Sequence, residues 1–292
     1  MASIRTWLEA TRPRTLAAGV VPVVMGTALA AHQGGLHVPS ALAALAGALL
    51  LQVGANFAND FYDFKNGADT ADRIGPARAT AMGLISPKAM RLAFVVTFAL
   101  AALVGAYLVT RGGLPIVVIG LASVLFGVLY TGGPAPLGYL GLGEVLVLVF
   151  FGPVAVAGTV YVQTLSFSLE ALIAGLAPGL LASAILVVNN LRDIPTDRVA
   201  GKNTLAVRFG PAFARLEYLA FVALAASVPV VLYALGSFEA PVLLASLTLA
   251  PGLLLTRDIW REEGRSLNPR LGQTGALLFT FGALFSLGVA LS

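Results

Sequence analysis

The feature that most constrains the fold is the recurrence of apolar stretches about as long as a bilayer is thick. Each is close to the ~20 residues that an α-helix needs to cross the hydrocarbon core. Only 11% of the residues are charged, against about 25% in soluble domains. We therefore expect an all-α polytopic membrane protein with nine transmembrane helices. The predicted spans are residues 15–32, 40–60, 89–109, 114–131, 141–161, 169–191, 212–235, 239–256 and 273–291.

The distribution of basic residues orients these spans. Cytoplasmic loops of membrane proteins carry an excess of Lys and Arg. With the N-terminus in the cytoplasm, seventeen of the eighteen basic residues fall on that side, and only Arg111 does not. The net charge of +4 is thereby explained by membrane orientation, and we expect no nucleic-acid partner. The arm before the first span is read as retained, and the C-terminus is predicted to lie outside.

Five of the seven aspartates lie in two polar stretches, NDFYDFKNGAD from Asn59 and NNLRDIPTD from Asn189, and a sixth, Asp72, follows the first of them. In the second stretch, Asn189, Asp193 and Asp197 are four residues apart, so on a helix they share one face. The first stretch repeats the step with Asn59 and Asp63. Isolated acidic residues in cytoplasmic loops are usually solvated turns, but a matched pair of motifs at corresponding helix ends favours a site.

The two motifs also indicate an internal repeat. They are 130 residues and four predicted spans apart, so both lie on the cytoplasmic side. We expect one membrane-embedded domain, residues 1–292, made of two four-helix halves (about 1–135 and 136–260) and a last helix (about 273–291), with the site between the halves.

The chemistry of the motifs points to a metal-bound diphosphate. Carboxylate and amide oxygens suit Mg²⁺, which takes one or two protein carboxylates and completes its shell with water and phosphate. The chain has no cysteine, so a thiolate site is excluded. Two facing motifs would hold a diphosphate through bridging metal ions. Basic residues beside the motifs would contact its remaining oxygens: Lys65, Arg73, Arg78, Arg198 and Lys202.

Other polar residues allow two interpretations. Glu144 at the start of the fifth span is either a charge that stabilises a helix N-terminus or a site residue. Tyr130 at the inner end of the fourth span is either an interfacial anchor or a substrate contact. His32 and His37 in the first outer loop are read as surface residues.

These motifs resemble the two aspartate-rich motifs of the UbiA superfamily of intramembrane prenyltransferases. The first departs from the superfamily pattern NxxxDxxxD, because Gly67 holds the third position and Asp69 follows two residues later. This variant is similar to the 1,4-dihydroxy-2-naphthoate polyprenyltransferases of menaquinone synthesis. So are the stretches DRIGP from Asp72, YTGGPAPLGYLGLGEV from Tyr130, DRVAGKNTLAVRFG from Asp197 and RPRTL from Arg12.

The resemblance implies a fold of nine helices. It also implies Mg²⁺-dependent transfer of a polyprenyl group from its diphosphate to 1,4-dihydroxy-2-naphthoate, with loss of CO₂. The isoprenoid tail would lie in an apolar tunnel open to membrane lipid. It implies catalytic roles for Asp60, Asp63, Asp193 and Asp197. The implied metal ligands are Asn59, Asp63, Asp69, Asn189, Asp193 and Asp197. For the aromatic acceptor we select Arg14, Tyr130 and Asn190.

Three alternatives remain open from the sequence. Another aromatic acceptor, such as 4-hydroxybenzoate or homogentisate, would leave the same metal motifs. A secondary transporter would place ionisable residues near the bilayer midplane, whereas spans 1, 3, 7 and 9 have essentially none in their interiors. A phosphotransferase of the CDP-alcohol type normally carries a single aspartate block rather than two.

Overall fold

The computed structural model describes residues 2–68, 74–76 and 78–292, and within these ranges all regular secondary structure is helical. The all-α prediction is therefore confirmed for the described part of the chain. The helices are α1 (Ile4–Ala10), α2 (Ala17–His32), α3 (Val38–Lys65), α4 (Pro87–Gly112), α5 (Leu114–Leu129), α6 (Gly143–Phe150), α7 (Pro153–Thr164), α8 (Leu169–Val199), α9 (Leu205–Ala234), α10 (Leu249–Arg261) and α11 (Asn268–Ala290). Short 3₁₀ segments cover Pro13–Thr15, Leu137–Leu140, Ala240–Thr248 and Gly264–Leu267.

Each predicted apolar stretch coincides with a helix or a pair of consecutive helices. Among the described residues, seven helical segments are long and apolar enough to cross a membrane. The other two, α2 and α5, have 16 residues each. At ~1.5 Å per residue such a helix spans about 24 Å, less than the ~30 Å hydrocarbon core. The structure thus supports a multi-pass membrane protein with seven long apolar segments and two shorter apolar helices.

The two helices that carry the motifs extend beyond their predicted ends. We placed the ends at residues 60 and 191, whereas α3 continues to Lys65 and α8 to Val199. Hydropathy finds only the apolar part of a helix, so it stops where polar residues begin. Asn59 and Asp63 lie inside α3, and Asn189, Asp193 and Asp197 lie inside α8. The four-residue spacing therefore places these side chains on one face of each helix.

The fifth predicted span is broken into α6 and α7 where it crosses α8. A Cβ atom added to Gly175 on α8 would lie 2.7 Å from Cα of Pro153, and one added to Gly179 would lie 2.4 Å from the carbonyl oxygen of Leu148. Glycine at these positions therefore lets the backbones touch. This close crossing packs the end of α6 and the start of α7 against the middle of α8.

Two apolar clusters form the interior. The larger joins α2, α7, α8, α9 and α11, and the smaller joins α3 with α4. The larger cluster crosses the boundary between the two predicted halves, because α2 packs against α7 and α11. Large apolar side chains also lie exposed outside the cavity, for example Leu92 and Leu103. Such surfaces suit contact with lipid.

Candidate active site

One cavity of about 1070 Å³ connects both motifs. At its polar end it is lined by Asn59 and Asp63 of α3 and by Asn189, Asp193 and Asp197 of α8. From there it continues between α3, α4, α5 and α7 along a wall of small and apolar residues, which includes Ala48, Ala101, Gly105, Gly120 and Gly127. Five of the six predicted metal ligands are thus brought to one end of a largely apolar chamber.

Asp63 joins the two motif regions by direct contact. Its Oδ1 accepts hydrogen bonds from Tyr139 Oη at 2.7 Å and from Lys202 Nζ at 3.2 Å, and Arg78 Nη2 donates to its Oδ2 at 3.1 Å. Asp63 is only 2% exposed, and a buried carboxylate needs such partners. Lys202 lies just after α8, which carries the second motif. Its ammonium therefore pairs with Asp63 of the first motif.

The position of Lys202 is set by Tyr139. The ammonium lies 4.7 Å from the centre of the Tyr139 ring, a distance typical of a cation–π contact. The backbone N–H of Asn203 also donates to the carbonyl oxygen of Tyr139 at 2.8 Å. Tyr139 is not among the site residues predicted from the sequence, although it lies within the stretch that resembles the prenyltransferases.

The second motif contains a buried guanidinium, that of Arg192, which is 1% exposed. Its Nε and Nη2 donate to the two carboxylate oxygens of Asp193 at 2.8 and 2.6 Å. Nη2 also donates to Asn189 Oδ1 at 2.7 Å, and Nη1 to Asn268 Oδ1 of α11 at 2.9 Å. Arg192 therefore holds two of the predicted metal ligands in place and ties α8 to α11.

Asp60 is engaged by the backbone of the segment before α4. Its two carboxylate oxygens accept from the N–H groups of Ala79 and Thr80 at 3.2 and 3.1 Å. Asp60 also lines the cavity, and the catalytic role expected for it stays a prediction. Its bonds to the backbone place the neighbouring Arg78, which reaches Asp63.

Asn59 is oriented by a buried threonine. Thr131 Oγ1 donates to Asn59 Oδ1 at 2.8 Å, and the carbonyl oxygen of Thr131 accepts from Asn66 Nδ2 at 3.2 Å. These bonds tie the end of α3 to the segment after α5. Asn59 therefore needs to exchange or share this partner if its oxygen is to bind a metal ion.

Two of the residues selected for the acceptor, Tyr130 and Asn190, line the cavity. Asn190 Nδ2 donates to Glu144 Oε1 at 2.7 Å. A Cβ added to Gly143 would lie 3.0 Å from Tyr130 Oη, so the phenol sits against the start of α6. The side chain of Arg14 lies outside the described residues. Arg12, which we did not select, lines the cavity instead.

The structure does not bring every predicted cation to the cavity. Lys65 and Arg198 are exposed and absent from its lining. Each lies one or two residues from a site aspartate, so helix geometry directs it to another face. These two selections are therefore not supported by their position. Asp69 and Arg73 lie outside the described residues.

The donor set fits a divalent cation that arrives with a phosphate ligand. No group of three or more His, Cys, Asp or Glu side chains among the described residues is arranged to hold a metal ion by itself. Mg²⁺, however, typically uses only one or two carboxylates besides substrate phosphate and water. Asp63 on α3 and the Asp193–Asp197 pair on α8 supply that number on two sides of one cavity.

The fold and the site define an intramembrane prenyltransferase: the chain belongs to the UbiA prenyltransferase family, whose pattern matches residues 19–288. In sequence it is similar to "1,4-dihydroxy-2-naphthoate octaprenyltransferase" of Mycobacterium tuberculosis, 40% identical over 96% of this chain and 95% of the relative. The protein of the same name in Escherichia coli is 39% identical over 99% of this chain and 96% of the relative. The family resemblance expected from the motifs is therefore confirmed.

A solved structure shares the fold at low sequence identity. It is that of a UbiA homolog from Archaeoglobus fulgidus bound to GPP and Mg²⁺, with a TM-score of 0.67 and 17% identity over 96% of this chain and 99% of that one. At this identity the likeness concerns the fold alone.

Proposed function

We propose that this protein transfers a polyprenyl group from an allylic polyprenyl diphosphate to 1,4-dihydroxy-2-naphthoate, with release of diphosphate and CO₂, to make demethylmenaquinol. One observation carries the proposal: both acidic motifs line one end of a single cavity whose remaining lining is mostly apolar. A polar end suits a metal-bound diphosphate, and an apolar chamber suits an isoprenoid tail. The names of the two bacterial relatives support the choice of acceptor.

Two groups of residues would hold the diphosphate: acidic and amide side chains of α3 and α8 through Mg²⁺, and the cations paired with Asp63 directly. Asp63, Asn59, Asn189, Asp193 and Asp197 are the proposed ligands of Mg²⁺, which when bound would neutralise the leaving diphosphate. Arg78 and Lys202 line the same end and would donate to the remaining phosphate oxygens. Asp60 acts by positioning Arg78.

Transfer then follows from the arrangement of the cavity. The bond between the allylic carbon and the diphosphate oxygen breaks, and the oxygen keeps the electron pair. The ring carbon attacks the allylic carbon, and loss of the carboxylate as CO₂ returns an electron pair to the ring, so no external oxidant is required. Tyr130 and Asn190 would contact the acceptor, while the apolar wall excludes water that would otherwise capture the carbon electrophile.

We further propose that α2 and α5 complete a set of nine transmembrane segments, arranged as two four-helix halves (about 1–135 and 136–260) and a last helix (about 273–291) in one domain. The positive-inside distribution supports a cytoplasmic N-terminus and a cytoplasmic active site, with the C-terminus outside. Reactivity of single cysteines introduced at Lys65 and at Ser292 into this cysteine-free chain tests this. An impermeant reagent should label only the latter from outside intact cells, and labelling at the former would reverse the orientation.

The activity is tested with purified protein, labelled prenyl diphosphate and a panel of 1,4-dihydroxy-2-naphthoate, 4-hydroxybenzoate and homogentisate. We expect a lipid-soluble product only from the naphthoate, and only with Mg²⁺ present. When the naphthoate is labelled in its carboxyl group, the label should be released as CO₂. Product formed only from another acceptor would identify that compound, and not the naphthoate, as the substrate. Movement of a solute across the vesicle membrane without any product would favour a transporter.

A further inference from the structure

Behind the wall of the cavity, at the start of α6, lies a carboxylate that is not explained by metal or diphosphate binding. Glu144 is 3% exposed, and its Oε1 accepts from Asn190 Nδ2 at 2.7 Å. Its Oε2 is buried without a hydrogen-bond partner among the described residues. Glu144 itself does not line the cavity, whereas Asn190 does. The carboxylate therefore acts on a ligand through the amide.

The NH₂ end of Asn190 donates to Glu144, so the other end of the amide, the acceptor Oδ1, is left for the cavity that Asn190 lines. No described residue donates to that oxygen. An amide oxygen that faces the cavity accepts hydrogen bonds and cannot donate them, so it favours a ligand group that donates a hydrogen bond.

The pair is held on a rigid part of the fold. Ser183 Oγ donates to the backbone carbonyl oxygen of Glu144 at 3.0 Å, which ties the start of α6 to α8. The glycine crossing at Gly175 and Gly179 fixes the same two helices. Glu144 also lies in the first turn of α6, where the helix N-terminus stabilises negative charge. The amide is therefore presented in one orientation.

We propose that Glu144, acting through Asn190, makes the acceptor site selective for the reduced naphthoate over its oxidised quinone. This inference rests on the proposed function, since it assumes that the naphthoate binds in this cavity. A ring hydroxyl of the dihydroxynaphthoate donates to Asn190 Oδ1. The quinone has the same ring and nearly the same shape, but its oxygens only accept, so it places acceptor against acceptor.

The test is the ratio of two dissociation constants measured without prenyl diphosphate. The ligands are 1,4-dihydroxy-2-naphthoate, kept reduced under argon, and the corresponding 1,4-naphthoquinone-2-carboxylate. The reduced ligand gains one hydrogen bond, and the quinone suffers repulsion between two acceptors. The wild type should therefore bind the reduced ligand at least about tenfold more tightly.

Glu144→Gln should remove this preference. The new NH₂ group would be buried without a partner unless it donates to Asn190 Oδ1, which turns the Asn190 NH₂ toward the cavity. The site then offers a donor, so the quinone binds as well as or better than the reduced ring. The double variant Glu144→Gln with Asn190→Asp restores an oxygen on the cavity side and should restore the preference.

Glu170→Gln is the matched control, because Glu170 makes its hydrogen bond to Ser168 at the opposite end of α8 and does not line the cavity. It should leave the ratio unchanged. The inference is overturned if the wild type binds both ligands equally well, if Glu144→Gln keeps the wild-type ratio, or if the double variant does not regain the preference. Each of these results leaves prenylation of the naphthoate intact as the proposed function. If Glu144→Gln does not fold, the double variant decides. Failure of the wild type to bind or prenylate the naphthoate overturns the proposed function as well.

Discussion

Removal of the Arg192 guanidinium tests the organisation of the second motif. Arg192→Met keeps the apolar stem but deletes four hydrogen bonds, two of them to Asp193. Asp193 is 5% exposed, so the variant leaves a buried carboxylate without its cation. Loss of one partner of a buried ion pair costs about 3–5 kcal/mol. We expect a loss of unfolding free energy of that size.

The double variant Arg192→Met with Asp193→Asn separates the cost of the unpaired charge from that of the lost hydrogen bonds. It removes both charges, so the penalty for an uncompensated buried carboxylate disappears. Stability should recover to within about 2 kcal/mol of the wild type, the remainder reflecting lost hydrogen bonds to Asn189 and Asn268. The double variant nevertheless should not transfer a prenyl group, because it lacks the proposed metal ligand Asp193.

The assay is SDS-induced unfolding of the purified protein in mixed micelles, without ligands or divalent cations. Arg257→Met is the control, because the Arg257 side chain is 59% exposed and its pair with Asp258 lies at the surface. Such a pair contributes about 0–1 kcal/mol. The reasoning is refuted if Arg192→Met costs no more than Arg257→Met, or if the double variant is less stable than the single one.

Three further results are expected. Asp63→Asn should lower kcat at least ~10²-fold, since it removes a charge aimed at the reacting group, and saturating Mg²⁺ should not restore it; normal turnover would remove Asp63 from the site. Asp60→Ala should cost about 1–3 kcal/mol of stability because two backbone N–H groups lose their acceptor, with partial activity; complete loss of activity in a stable variant would indicate direct catalysis. Gly26→Ala should destabilise by about 1–3 kcal/mol, because its Cβ would lie 2.7 Å from Cβ of Thr159, whereas Gly105→Ala meets nothing within 4 Å and should be tolerated in the same unfolding assay.

The fold was largely predictable because a bilayer leaves the chain few options. Apolar stretches of sufficient length must be helical, and the nine predicted stretches correspond to helical segments of the structure. The helix ends at Lys65 and Val199 were not predictable from hydropathy, because polar residues there belong to helices that line a cavity. The break between α6 and α7 depends on contact with α8, which no local pattern reveals.

The site was predictable only where spacing along one helix decides position. Asn189, Asp193 and Asp197 line the cavity together, as a four-residue step requires. The pairing of Arg192 with Asp193 is less obvious, since adjacent helical residues do not face each other. Here the long Arg side chain folds back, because Asn268 and Asn189 also hold it.

Contacts between distant segments account for most of what the sequence did not reveal. Tyr139 reaches Asp63 from a separate loop, and Asp60 accepts from N–H groups about twenty residues away. Glu144 was recognised as either a helix charge or a site residue, and its bond to Asn190 becomes visible only when α6 lies on α8.

The most direct measurement is a structure with Mn²⁺ and a non-reactive prenyl thiodiphosphate, in which the metal ions are located by anomalous scattering. The account predicts metal peaks flanking one diphosphate, with Asp63 on one side and Asp193 or Asp197 on the other. A diphosphate held by one motif alone, or bound outside the shared cavity, would contradict it.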